Sequence, residues 1–121
     1  RVARLLREEH GFRGYIHLKT IPDADPLLLE EAGRWADRLS INIELPRDES
    51  LRALAPEKDA PGIRRAMAAM RLRIDAAREA KRTERRAAAP RFAPAGQSTQ
   101  MIVGADGADD AQVLGTSTLL Y

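Results

Sequence analysis

The sequence predicts an α/β chain, a slice of a partial (β/α) barrel with about three parallel strands and intervening helices. Two segments, 15–20 and 39–45, alternate apolar and polar side chains between Gly and Pro residues, and a third apolar segment covers 99–104. Stretches with helical spacing separate the three, so consecutive strands cannot be simple hairpins and ask for crossovers and a parallel sheet. Three strands are too few for an independent α/β domain. The order α, β, α, β, α, β, α therefore suits a consecutive slice of a (β/α) barrel or of a doubly wound sheet.

Each element has its own signal. Val2, Leu5 and Leu6 fall on one helical face, and Gly11 ends that helix as a C′ residue. Gly14 and Pro22 bound the first strand. Asp25-Pro26 reads as an N-cap followed by Pro at N1, and the helix after it is expected to bury Leu28, Ala32, Trp35, Ala36 and Leu39. The second strand, Leu39 to Leu45, is a strict alternation closed by Pro46. A short helix covers Asp48 to Leu54. Asp59-Ala60-Pro61 opens the longest helix, with Ile63, Met67, Met70, Ile74 and Ala77 as its apolar stripe. Asp109 or Asp110 caps a last helix holding Val113, Leu114 and Leu120 on one side.

Parity assigns side chains to faces. Leu39, Ile41, Ile43 and Leu45 share one face of the second strand, and Ser40, Asn42 and Glu44 share the other. In the first strand Ile16 and Leu18 oppose Tyr15, His17 and Lys19; in the third, Met101 and Val103 oppose Gln100, Ile102 and Gly104. With the apolar faces against helices, the opposite face collects His17, Lys19, Ser40, Asn42, Glu44 and Gln100. An ordinary barrel fills its lumen with branched apolar side chains, so a polar lumen points to a polar ligand at the C-terminal strand ends. An antiparallel sheet with its polar face in water is the plain alternative. Glu44 needs a partner there, and Lys19 or a cationic ligand answers that need. Gly104 opens a turn that ends at a helix N-terminus, where backbone approaches a ligand closely.

Composition excludes several classes. The 121 residues include no Cys and two His, so disulfides, cysteine nucleophiles and thiolate metal sites are absent from this chain. No apolar run reaches the roughly 20 residues of a membrane span, and no signal peptide is visible. We expect a cytoplasmic protein with no membrane partner. Charge is uneven: residues 61–91 hold ten basic and three acidic side chains, net +7, while the whole chain is +2. That segment reads as a solvated helix face or as a patch for nucleic acid, without interleaved aromatic residues. The chain opens at Arg1 and stops at Leu119-Leu120-Tyr121 with no cap signal, which reads as an internal piece of a longer protein.

Four stretches together resemble a known group. They are residues 14–22 (GYIHLKTIP), 36–46 (ADRLSINIELP), 54–59 (LAPEKD) and 92–105 (FAPAGQSTQMIVGA). They look like the DNA modification/repair radical SAM proteins, relatives of biotin synthase. The likeness spans nearly the whole chain. It implies one partial TIM-like (β/α) barrel domain over 1–121, with a basic long-helix insertion at about 59–90. It also implies a four-iron four-sulfur (4Fe-4S) cluster and S-adenosylmethionine as cofactors. Such enzymes cleave S-adenosylmethionine to a deoxyadenosyl radical, which abstracts hydrogen from a substrate. The resemblance implies that the Gly104 turn passes near the adenine and that Ser40, Asn42 and Glu44 offer polar groups to S-adenosylmethionine or substrate; together with the polar face, Ser40, Asn42, Glu44, Gln100 and Gly104 are expected at the S-adenosylmethionine site and His17 and Lys19 toward the substrate. The family's CxxxCxxC loop lies ahead of Arg1, so this chain holds no cluster ligand and is expected to be inert without the remainder of its barrel. A nucleic-acid-binding module built on helix 61–91 is the alternative function.

Overall fold

The computed structural model describes residues 1–83 and 91–120. Its elements run α1 (Val2–Glu8), β1 (His17–Lys19), α2 (Pro26–Trp35), β2 (Arg38–Ser40), α3 (Asp48–Leu54), α4 (Ala60–Thr83), β3 (Gln97–Ser98) and α5 (Asp110–Leu120). The strands form one parallel sheet in the order β1-β2-β3. Parallel pairing follows from the helices between strands, which return the chain to the same end of the sheet each time. The end of the long helix expected over 84–86, and the insertion as far as 90, lie outside the described residues.

The strands are shorter than the alternation predicts. β1 loses Tyr15, Ile16 and Thr20 as strand residues, although Ile16 C=O still accepts from Asp37 N–H and Thr20 N–H donates to Ser40 C=O. β3 is only Gln97–Ser98, directly after the turn at Gly96 (φ 88°), so it lies wholly ahead of the expected 99–104, of which Met101 alone keeps a bridge, to Glu44. Its expected end is also different. Ile102 and Val103 are exposed, so Val103 does not face a helix layer.

The register changes partway along β2 and β3. Ser40 pairs with Ser98, yet the next bridge joins Glu44 to Met101, which leaves one residue more on the β2 side. This is a parallel β-bulge. It centres on Glu44, whose φ is 66°, with Leu45 N–H donating back to Ile43 C=O at 2.8 Å. That three-residue turn is a γ-turn of the positive-φ type, a rare conformation for a residue with a side chain. The bulge leaves Ile43 N–H off the ladder, and Thr99 Oγ1 accepts from it at 3.0 Å. The expected strand 39–45 is regular only from Arg38 to Ser40; its alternation of faces carries on to Asn42 and breaks at Glu44, and burial does not alternate, because Leu39, Ser40, Ile41, Asn42, Ile43 and Leu45 are all buried.

The core sits between the sheet and α4. Ile63, Met67, Met70 and Ile74 are buried along one stripe of α4, as their spacing predicts. Burial of each such side chain stabilises by about 1.5–3 kcal/mol. α2 is turned relative to expectation. Leu28 is exposed, and the inward arc is Leu29, Ala32, Gly33 and Ala36. Gly33 sets that rotation: a Cβ there would lie 2.2 Å from the Phe92 ring, and Gly33 C=O accepts from Ala93 N–H. Caps behave as read. The Asp25 carboxylate accepts from Leu27 and Leu28 N–H. Asp109 caps α5, with Gln112 returning a bond to Asp109 N–H. On α5 Leu114 is exposed and only Leu120 packs on the core, so the expected three-residue apolar side is incomplete. Val2 of α1 is likewise exposed, and Ala3 is the buried residue there.

Candidate functional site

Register places one row of side chains on one sheet face. His17 lies opposite Arg38, Lys19 opposite Ser40, and Ser40 opposite Ser98. Asn42 and Gln100 continue the row, and Asn42 Nδ2 donates to Gln100 Oε1 at 3.4 Å. Ser98 Oγ and His17 Nε2 are 3.4 Å apart. No apolar side chain interrupts this row. Its centre is buried, at Ser40 and Asn42, and its flanks at His17, Lys19 and Gln100 are exposed. Arg38 Nη2 donates to Ala95 C=O at 3.0 Å, while Arg38 Nε is buried with no hydrogen-bond partner among the described residues.

Glu44 stands at the C-terminal end of the same face, aimed by its γ-turn rather than by strand parity. Its Oε1 accepts from Lys58 Nζ at 2.7 Å and lies 3.9 Å from Lys19 Nζ. Lys58 belongs to the turn between α3 and α4, where its N–H donates to Ala55 C=O. Asp59 then caps α4 by accepting from Gly62 N–H. The capped helix therefore fixes the position of the lysine. Two ammonium groups converge on one carboxylate, so the cluster carries a net positive charge.

Five of the sequence-predicted residues, His17, Lys19, Ser40, Asn42 and Gln100, share the row, and Glu44 joins it at the end. Gly104 does not join them by any contact. It is exposed with φ 81°, and open space surrounds the position a Cβ would take. Sequence reading missed Lys58 as a site residue because it lies in a turn with no strand parity to assign it. It also missed Arg38 and Ser98, which required the register, and the acceptor role of Thr99, which required the bulge.

Cavities lie elsewhere. One of about 230 Å³ runs beneath α4 beside Gly96, Gln97 and Thr99, along the outer edge of β3. Another of about 320 Å³ opens at the N-terminal ends of β1 and β2, lined by Arg7, Arg13, Asp37 and Arg91. There Asp37 accepts from Ile16 N–H and Arg7 Nη2, both at 2.7 Å, and pairs with Arg91. Burial alone would raise the Asp37 carboxyl; the Ile16 amide, Arg91 and Arg7 outweigh it and hold it below the usual carboxylate range.

Within the described part of the basic helix, α4, the arginines are ion-paired. Arg64 pairs with Asp48, Arg65 with Asp59, Arg71 and Arg78 with Asp75, Arg73 with Glu30 and Arg82 with Glu79. Among the described residues, no group of three His, Asp or Glu side chains is placed to hold a metal ion. No described helix is long and apolar enough to cross a membrane. Neither a family model, nor a curated protein, nor a solved structure matches this chain.

Proposed function

We propose that this chain forms the middle of a (β/α) barrel in a radical S-adenosylmethionine enzyme and lines part of its cofactor and substrate pocket. The supporting observation is the uninterrupted polar row on a parallel sheet, from His17 to Gln100, with buried Ser40 and Asn42 at its centre. A doubly wound sheet carries helices on both faces and reads as apolar on both. A polar row of this kind suits the inside of a barrel that receives a polar ligand.

The residues fit the two cofactors differently. A cluster needs thiolate ligands, and the chain has no Cys, so its ligands belong to sequence outside these residues. S-adenosylmethionine fits the row: Ser40 and Asn42 supply a buried hydroxyl and amide, and Arg38 Nε is a buried donor without a partner among the described residues. When bound it supplies the deoxyadenosyl group that abstracts hydrogen. Ser40, Asn42 and Gln100 would orient its polar groups, and His17 and Lys19 would face the substrate. Glu44 holds Lys58 and Lys19, so a cationic ligand group must compete with two lysines for its oxygen. On the same reading the enzyme is cytoplasmic and acts in DNA modification or repair. The ion pairs along α4 favour this reading over a nucleic-acid-binding module, because the arginines of its described residues already face carboxylates.

The test is the coding frame ahead of Arg1. Three cysteines in CxxxCxxC spacing are expected there. A frame without them refutes the proposal and leaves the binding module.

A further inference from the structure

The cavity at the N-terminal ends of β1 and β2 lies at the opposite end of the sheet from Glu44, and the proposed function makes no use of it. It encloses about 320 Å³ and is lined by Arg7, Gly11, Phe12, Arg13, Asp37 and Arg91. Three arginines and one carboxylate thus line it. The carboxylate is fully engaged: Arg91 takes Asp37 Oδ1, while Arg7 and the Ile16 amide take Oδ2.

The arginines are not equivalent. Arg7 is a structural clamp, donating to Trp35 C=O, Phe12 C=O, Gly14 C=O and Asp37, and its guanidinium sits 5.8 Å from the Phe12 ring centroid. Those bonds fix the 11–14 turn that carries Arg13. Arg91 reaches Asp37 through one nitrogen and keeps further N–H groups. Arg13 is exposed and has no hydrogen bond or ion pair among the described residues. The cavity therefore combines a preset turn, an excess of two positive charges and uncommitted guanidinium donors. Guanidinium forks match phosphate oxygens in pairs, which separates phosphate from a simple halide.

We infer that this cavity binds a phosphate group, with Arg13 and Arg91 as its ligands and Arg7 as the residue that positions the turn. The volume leaves room for the group that carries the phosphate. A small phosphorylated ligand and a nucleic acid backbone both offer that chemistry.

The test is titration of the ¹⁵N-labelled protein, in a sample whose amide spectrum is dispersed as a folded chain's is, with inorganic phosphate, a nucleoside 5′-monophosphate, the phosphate-free nucleoside and a single-stranded oligonucleotide. Saturable shifts of the Gly11, Phe12 and Arg13 amides are expected with phosphate and the monophosphate, and none with the nucleoside. Arg13→Ala should weaken binding by about 10- to 100-fold, the range for a lost charged hydrogen bond. Arg13→Lys should restore part of it. Arg52→Ala, which removes the same charge from α3, should leave affinity unchanged. An oligonucleotide binding more tightly than the monophosphate, with steep salt dependence, assigns the phosphate to a nucleic acid; equal affinities assign it to a small ligand. Shifts that do not saturate, or equal weakening in Arg13→Ala and Arg52→Ala, overturn the site.

Discussion

Glu44 combines an uncommon backbone conformation with two lysine contacts, and the structure ranks those contacts. Its side chain is 17% exposed, against 35% for Lys58 and 63% for Lys19. At the 2.7 Å separation of Glu44 and Lys58, Coulomb attraction is about 1.5 kcal/mol in water and about 6 kcal/mol at an effective dielectric of 20. Lys58 is about a third exposed, so screening brings the net coupling down to about 1–2 kcal/mol. Lys19 is longer-ranged and mostly in solvent, and its coupling should be about 0.5 kcal/mol or less. Urea unfolding of Glu44→Gln, Lys58→Met, Lys19→Met and the two double variants measures both couplings. The backbone adds an independent check. With φ at 66°, Glu44→Gly should be about 1 kcal/mol more stable than Glu44→Ala, since only Gly adopts that region without steric cost. A Lys19 coupling equal to or above that of Lys58 would refute the assignment of partners. Ala matching Gly would refute the γ-turn.

Two further outcomes test the frame around the site. Thr99→Val leaves the buried Ile43 N–H without its acceptor and should cost about 1–3 kcal/mol, while Thr99→Ser keeps the hydroxyl and should cost less; equal thermal midpoints for Val and wild type would remove the bulge from the account. Stability should also fall in acid. The Arg64 hydrogen bond lowers the Asp48 carboxyl, the Ser50 hydroxyl leads the groups that lower Asp106, and Asp37 is lowered by Ile16, Arg91 and Arg7 against its own burial. The unfolded chain therefore takes up protons at about pH 4 while these three stay ionised, so their contribution is full above that pH and is lost as pH falls through the lower folded values. Unfolding free energies at descending pH should show this slope, and Asp37→Asn should flatten it; a level profile would contradict the three pairings.

Local signals on this chain are strong wherever a few neighbouring residues settle the outcome. The α4 stripe from Ile63 to Ile74, the Asp25-Pro26 start of α2 and the α3 span from Asp48 to Leu54 were legible because spacing and capping act within a turn or two of chain. The α/β order and parallel sheet followed from the helices between strands. The polar row was legible in part, because His17, Lys19, Ser40 and Asn42 have a parity that survives folding. Three features needed the tertiary structure. The turn of α2 that exposes Leu28 depends on Phe92 packing against Gly33, a contact between residues far apart in sequence. The bulge at Glu44 depends on how β2 and β3 hydrogen-bond, which no single-strand alternation contains. Lys58 became the main partner of Glu44 because the α3–α4 turn carries it to the strand end. Short-range rules say which face a side chain prefers, and only packing between distant segments decides which charged group meets it there.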